Sequence, residues 1–504
     1  MEQEQQSESY ESLAHRHRHS VESVITLLEW LLVAFILALL FMIFAMQAFQ
    51  IPTGSMAETL CGAHYRMRCC RCGYGFDIGN DGVSYGQPHC PNCDYVEPMD
   101  AIGHVKNGDR IFVLKSIYQF FEPKRWDVVV FKNPTNPLDS YIKRLIALPG
   151  ETVELINGDV FIDGRIARKP ANVQKELWMP IFLQDHQPLD SAGHFDELVE
   201  QGQDTQNQVW KPLFENEPNS AWNLQGQTVF TLEETTRTRH TLVYVPNSPD
   251  DFRAFYGYNE SSGHSFKPVV SDVMVNFYAK CDDPDGMIGA SLEKYGVHYS
   301  ARVEFRGAII FEKTFNGQTT QLRAPILSGG IEPGRFEKFE FANVDQLLVL
   351  RWGDRRFTYD LSTDENFQPQ DAEDEKPPMV KLFAVGPVQI RHIGLYRDTF
   401  YMGREGMTPA LRATQKKPFT LDTDEFFVCG DNSNNSYDSR AWYDEGRGNN
   451  GRTYRKGVVP RDYLMGKAVM VYWSQAFSPA ENLPLMIPNL SNIKVIYGGG
   501  ERAY

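Results

Sequence analysis

Residues 141–150 read Tyr141-Ile142-Lys143-Arg144-Leu145-Ile146-Ala147-Leu148-Pro149-Gly150, an apolar strand-like run that holds a lysine and closes on a Leu-Pro-Gly turn. Upstream, Asp127 to Phe131 (DVVVF) reads as a buried strand. A lysine in such a run is ordinarily an exposed strand residue, and alternation would let Lys143 point outward. Its neighbours Ile142, Leu145 and Ile146 also supply the apolar setting that disfavours an ammonium. An exposed lysine, with a pKa of ~10.4, is charged near pH 7, whereas a buried one can lose several units and become a base.

A base needs a nucleophile. Residues 50–56 read Gln50-Ile51-Pro52-Thr53-Gly54-Ser55-Met56. A lone serine in a Gly-containing turn is by default a turn residue. Near the other end, Gly430 to Arg440 (GDNSNNSYDSR) forms a dense polar loop after the apolar Phe426-Phe427-Val428. Just before the serine, Trp30 to Met46 runs without a charge, and flanking apolar residues extend it over 21–49. A helix needs ~20 such residues to cross a bilayer, whereas a cleaved secretory signal has an apolar region of ~7–15. The length favours a retained anchor. Arg16 and Arg18 precede the run and the next Arg or Lys is Arg66, so residues 1–20 are expected in the cytoplasm and the body outside.

Together these stretches resemble bacterial type I signal peptidase, the membrane-bound Ser/Lys protease of the signal peptidase I family. The matching blocks are TGSM at 53–56, GDRIFVLK at 108–115, DVVVF at 127–131, YIKRLIALPG at 141–150, GDNSNNSYDSR at 430–440 and VPRDYLMGKAVMVYW at 459–473, in the family's order. About half the chain takes part. The resemblance implies Ser55 as nucleophile and Lys143 as general base, with an oxyanion hole from the Thr53 hydroxyl and the Ser55 N–H. It further implies that Ser436 hydrogen-bonds the lysine and that Asp438 and Arg440 order the loop. No cofactor is implied for catalysis. Signal peptides of exported preproteins are the implied substrates, cleaved at the outer face of the cytoplasmic membrane. The family usually carries proline three residues after the nucleophile, where this chain has Glu58, and residues 444–457 form an extra polar loop. Neither replaces a reacting group.

Cys69 and Cys72 are followed by Cys90 and Cys93, two CxxC pairs at the spacing of a zinc ribbon. Four thiolates would fill a tetrahedral metal, so such a site is structural. Two disulfides are the alternative in an oxidising compartment. Cys70 makes the first pair ambiguous as to which thiol is the ligand. The pairs lie between Ser55 and Asp127, so the knuckle, 66–97, is an insertion in the peptidase, similar to those of large forms in planctomycete-like bacteria.

From about 171 to 390 the resemblance fades. Alternating runs such as Val273/Val275/Phe277 and Leu348/Leu350/Trp352, separated by turns at Pro284-Asp285-Gly286, Asn316-Gly317 and Gly353-Asp354, predict an inserted β-sandwich, jelly-roll-like. Its partner is not readable. Trp210, Trp222 and Trp352 could form a sugar platform, but core packing is the better reading of each. Asp364-Glu365 and the acidic run 371–375 read as a solvated loop.

The expected class is therefore mainly β. An N-terminal transmembrane helix precedes peptidase segments 50–170 and 391–484, interrupted by the two insertions and followed by a tail, 485–504. With 50 Lys+Arg against 65 Asp+Glu among 504 residues, the chain carries a formal charge of −15, which argues against nucleic acid as a partner. A rival reading is a non-catalytic anchored protein that binds through the sandwich. Intact Ser55, Lys143, Ser436 and Asp438 argue against it. A repressor-type Ser/Lys autoprotease would not need an anchor, and a Ser-x-x-Lys acylase would need lysine at position 58.

Overall fold

The computed structural model describes residues 25–41, 45–80, 87–187, 213–225, 228–234, 237–246, 248, 250–254, 257–262, 267–327, 331–364, 376–403, 411–415, 417–448, 451–474 and 489–499. The protein is mainly β. Its centre is an eight-stranded sheet in the order Met46–Gln50, Arg110–Leu114, Leu464–Trp473, Val128–Lys132, Ser140–Ala147, Glu425–Cys429 and Val459–Pro460, with Lys494–Val495 paired beside Leu464–Trp473. Every pairing is antiparallel.

This sheet is covered on both faces, which explains the unbroken apolar run in Val128–Lys132. Val128 and Val130 pack with Ile51, Met56 and Ile111 on one side, and Val129 and Phe131 pack with Leu145, Phe426 and Trp442 on the other. A four-stranded sheet of Thr152–Ile156, Asp159–Ile162, Arg165–Ile166 and Phe419–Thr420 leans against it. The expected surface loop at 444–457 contains a small hairpin of Gly446–Arg447 and Thr453–Tyr454. The C-terminal tail folds back onto the sheet, where Ile496 is buried and Lys494 donates to the Thr59 carbonyl at 2.6 Å.

Between Met179 and Arg397 the chain builds two seven-stranded antiparallel sheets that share one hydrophobic core. The strand Val297–Glu304 shows why: Val297, Tyr299, Ala301 and Val303 face inward and are buried, while His298, Ser300, Arg302 and Glu304 face outward. Trp222 and Trp352 are core residues, 4% and 5% exposed, so neither is available as a sugar platform. Trp210, the acidic run 371–375 and the N-terminal tail 1–20 lie outside the described residues. A buried charge ties this body to the peptidase: Lys169 Nζ reaches Asp345 of the body at 2.6 Å and Asp398 at 2.7 Å. Within the body, Lys294 pairs with Asp272.

The expected membrane helix differs from what is observed. Residues 25–41 are helical and exposed along their whole length, Trp30 by 69%. Among the described residues no helix is long and apolar enough to cross a membrane. The apolar run does not stay helical to Phe49, because Met46–Gln50 pairs with Arg110–Leu114 and Phe49 packs against the sheet's core. The end of the run has a partner strand waiting, and backbone pairing there outweighs helix continuation.

Candidate active site

Ser55 sits in the turn after the first strand of the central sheet, and Lys143 lies in the strand Ser140–Ala147. Lys143 pairs with Val129, whose strand is buried on both faces, so alternation leaves the lysine no solvent side. It is 4% exposed, Ser55 is 8% exposed, and Lys143 Nζ lies 2.5 Å from Ser55 Oγ. Burial pulls the Lys143 pKa down to about 8; Asp438 opposes that shift and Arg440 assists it. A serine and an uncharged amine in hydrogen-bond contact are the parts of a Ser/Lys nucleophile.

The polar loop closes around this pair. Asp438 accepts from the Gly430 N–H at 2.9 Å, and Arg440 donates to it from Nε at 2.8 Å and from Nη2 at 2.6 Å. Both side chains are buried. Burial alone would raise the Asp438 carboxyl, but the Arg440 guanidinium and its hydrogen bonds outweigh it and hold it below the ordinary carboxylate range. Arg440 continues to Ser433 Oγ at 2.5 Å. Gly430 is required by close approach: a Cβ there would stand 2.3 Å from both the Ser55 carbonyl oxygen and Ser436 Oγ.

Ser436 therefore lies beside the nucleophile, but the expected bond from it to the lysine is not formed. Lys143 donates to Ser55, and no hydrogen bond joins it to the buried Ser436 Oγ among the described residues. Thr53 is exposed on the nucleophile's turn. Glu58, at the position three residues after the nucleophile, is also exposed and faces Gly257 of the inserted body.

Two groups not singled out from sequence support the site. Arg144, next to the lysine and on the opposite face of the strand, binds Asp431 through Nε and Nη2, each at 2.7 Å. Asn432 donates from Nδ2 to the Gly54 carbonyl at 2.9 Å and from its backbone N–H to the Ser55 carbonyl at 3.1 Å. Arg144 was visible only as the lysine's neighbour in an apolar run and Asp431-Asn432 only as part of a polar loop, not as partners.

The Cys pairs converge. Cys69 Sγ is 3.6 Å from Cys93 Sγ, Cys72 Sγ is 3.6 Å from Cys90 Sγ, and all four are buried free thiols. A disulfide needs ~2.05 Å. Four sulfurs around a zinc at ~2.3 Å would stand about 3.8 Å apart, so this donor set fits a tetrahedral metal. The N–H groups of Arg71 and Cys72 both point at Cys69 Sγ, each at 3.4 Å. The exposed Cys70 is outside the cluster, which resolves the ambiguity of the first pair.

Comparison with known proteins covers part of this site, Lys143, Ser436, Asp438 and Arg440 but neither Ser55 nor the cysteine cluster. Residues 99–211 and 384–473 match the family described as "Signal peptidase, peptidase S26". "Signal peptidase I" of Rickettsia canadensis (strain McKiel) is 34% identical over 139 residues, 27% of this chain and 43% of that protein. "Probable signal peptidase I-1" of Synechocystis sp. is 29% identical over 158 residues, 28% of this chain and 79% of that protein. The chain thus spans 43% of the length of the Rickettsia relative that it matches. A solved carbohydrate binding module from Bacillus subtilis is similar at 10% identity and a TM-score of 0.24, covering 36% of this chain and 95% of that one, and a likeness so low carries no argument.

Proposed function

We propose that this chain, similar to the signal peptidase S26 family over residues 99–211 and 384–473, is a serine endopeptidase that removes signal peptides from exported preproteins. One observation carries the reading: a buried lysine with a lowered pKa in contact with the hydroxyl of a buried serine.

Uncharged Lys143 Nζ takes the Ser55 Oγ proton as Oγ bonds to the scissile carbonyl carbon. The oxyanion that forms is met by the Ser55 N–H and the Thr53 hydroxyl. Collapse breaks the C–N bond, the Lys143 ammonium returns its proton to the leaving amine, and an acyl ester remains on Ser55. Water, deprotonated by the same amine, then hydrolyses the ester and restores Ser55. Arg440 and Asp438 hold the loop in place, and Ser436 lines the space between Gly430 and the nucleophile. The surrounding protein keeps Lys143 dry, which is the condition for its basicity.

In this reading the exposed apolar helix over 25–41 anchors the protein to the lipid bilayer of the cytoplasmic membrane, and the strand Met46–Gln50 already belongs to the peptidase sheet. The protein would cross once, with residues 1–20 inside and the peptidase on the outer face. Anchoring would hold the site beside membrane-inserted substrate, so proximity contributes to catalysis. Zinc would be held by Cys69, Cys72, Cys90 and Cys93 as a structural ion in a zinc-ribbon-like knuckle. The two-sheet insertion is read as jelly-roll-like.

The test is a preprotein cleavage assay in detergent with wild type, Ser55→Ala and Lys143→Ala. Both variants should lose cleavage while melting cooperatively. Normal processing by Ser55→Ala would sink the mechanism.

A further inference from the structure

We propose that the inserted body completes the active site, and that its Asn259 is a positioning residue acting on the nucleophile through Asn432. The proposal rests on the Ser55/Lys143 reading and asks what fixes the serine's turn.

The inserted body sends the short helical turn Gly257–Ser262 across to the peptidase. There Asn259 Nδ2 donates to Asn432 Oδ1 at 2.5 Å, and Asn432 Nδ2 donates back to Asn259 Oδ1 at 2.8 Å. Both residues are buried, at 8% and 0% exposure. The same Asn432 amide donates to the Gly54 carbonyl and its backbone N–H to the Ser55 carbonyl, so one side chain bridges the insertion and the nucleophile. A carboxamide can turn over, exchanging its oxygen and nitrogen. Turned, Asn432 would set Oδ1 against the Gly54 carbonyl, acceptor against acceptor. Asn259 offers a donor to Asn432 Oδ1 and an acceptor to Nδ2, and so selects the orientation that holds Gly54 and Ser55.

Tyr258 gives the turn its footing. Its ring packs so closely that a Cβ on Gly54 would stand 2.1 Å from it and one on Gly79 2.6 Å away, and its hydroxyl donates to the Ala63 carbonyl at 3.0 Å. The cysteine knuckle braces the same region. Pro91 lies against Gly257, while Asn92 accepts from the Leu183 N–H and donates to the His186 carbonyl, each at 2.7 Å. A body that served only as a spacer would have no need of contacts to residues 54 and 432.

The experiment measures kcat and KM on a synthetic preprotein peptide for wild type, Asn259→Ala, Asn432→Ala and the double variant, with melting curves. Asn259→Ala is expected to lower kcat about tenfold with a smaller change in KM, the size of a buried polar group losing its partner. The double variant should fall no further than Asn432→Ala alone, since both act on one contact. A purely structural Asn259 would lower the melting temperature and leave kcat unchanged, and unchanged kcat or fully additive losses overturn the proposal. Should the alanine form not fold, Asn259→Asp, which keeps the acceptor and loses the donor, is judged by the same criteria. If wild type itself cleaves nothing, the reaction reading fails separately. Amide exchange over residues 53–62 then decides this one: faster exchange in Asn259→Ala supports it, and unchanged exchange overturns it.

Discussion

Arg144 grips Asp431 across 287 residues of chain, with two 2.7 Å hydrogen bonds between fully buried side chains. Lys143 and Arg144 are neighbours on one strand, and alternation sends them to opposite faces. One becomes the amine at the serine, and the other anchors the polar loop whose next residue, Asn432, touches that serine's carbonyl. The register Cys429 with Arg144 brings the loop to the lysine's strand.

Removing one partner of such a buried pair leaves the other charged and desolvated. Arg144→Met should therefore destabilise the fold by about 3–5 kcal/mol in denaturant unfolding. Arg144→Met with Asp431→Leu should recover part of that loss, and an Arg144→Met stability equal to wild type would show the pair to be dispensable.

Lys143 predicts the opposite. Its pKa is about 8 in the fold against an ordinary 10.5, so between those values the unfolded chain holds a proton that the native one does not. Native stability accordingly rises as pH increases from 8 to 10.5, and below pH 8 the buried ammonium is destabilising in full. Lys143→Met should be more stable than wild type at pH 7, by at most about 3 kcal/mol. The gap should close as pH approaches 10.5, and a gap that widens instead would show the sign to be wrong.

The knuckle should carry one zinc per chain by elemental analysis. Chelation should expose the thiols of Cys69, Cys72, Cys90 and Cys93 to a thiol reagent and, through Asn92 and the insertion, lower kcat. Thiols that stay unreactive until a reductant is added would identify disulfides instead.

Much of this was legible in sequence, for reasons of distance along the chain. The CxxC pairs and the alternation of Val273, Val275 and Phe277, all buried in the insertion's core, are local patterns that announce themselves. Lys143 was visible, but its burial was not, because alternation places a residue on a face without saying whether the face is covered. Ser436 was read onto the lysine, whereas Lys143 donates to Ser55. The apolar run before the serine could not reveal that Met46–Gln50 pairs with a strand beginning at Arg110. Asn259 gave no signal: a single asparagine becomes significant only when folding sets it against Asn432, 173 residues away.

The most direct test of the central claim is the pH dependence of kcat/KM on a preprotein peptide. An uncharged Lys143 is the base, so activity should rise tenfold per pH unit on the acid side and level off through an apparent pKa of about 8. A profile already flat at pH 6, or one that survives unchanged in Lys143→Met, would contradict the account.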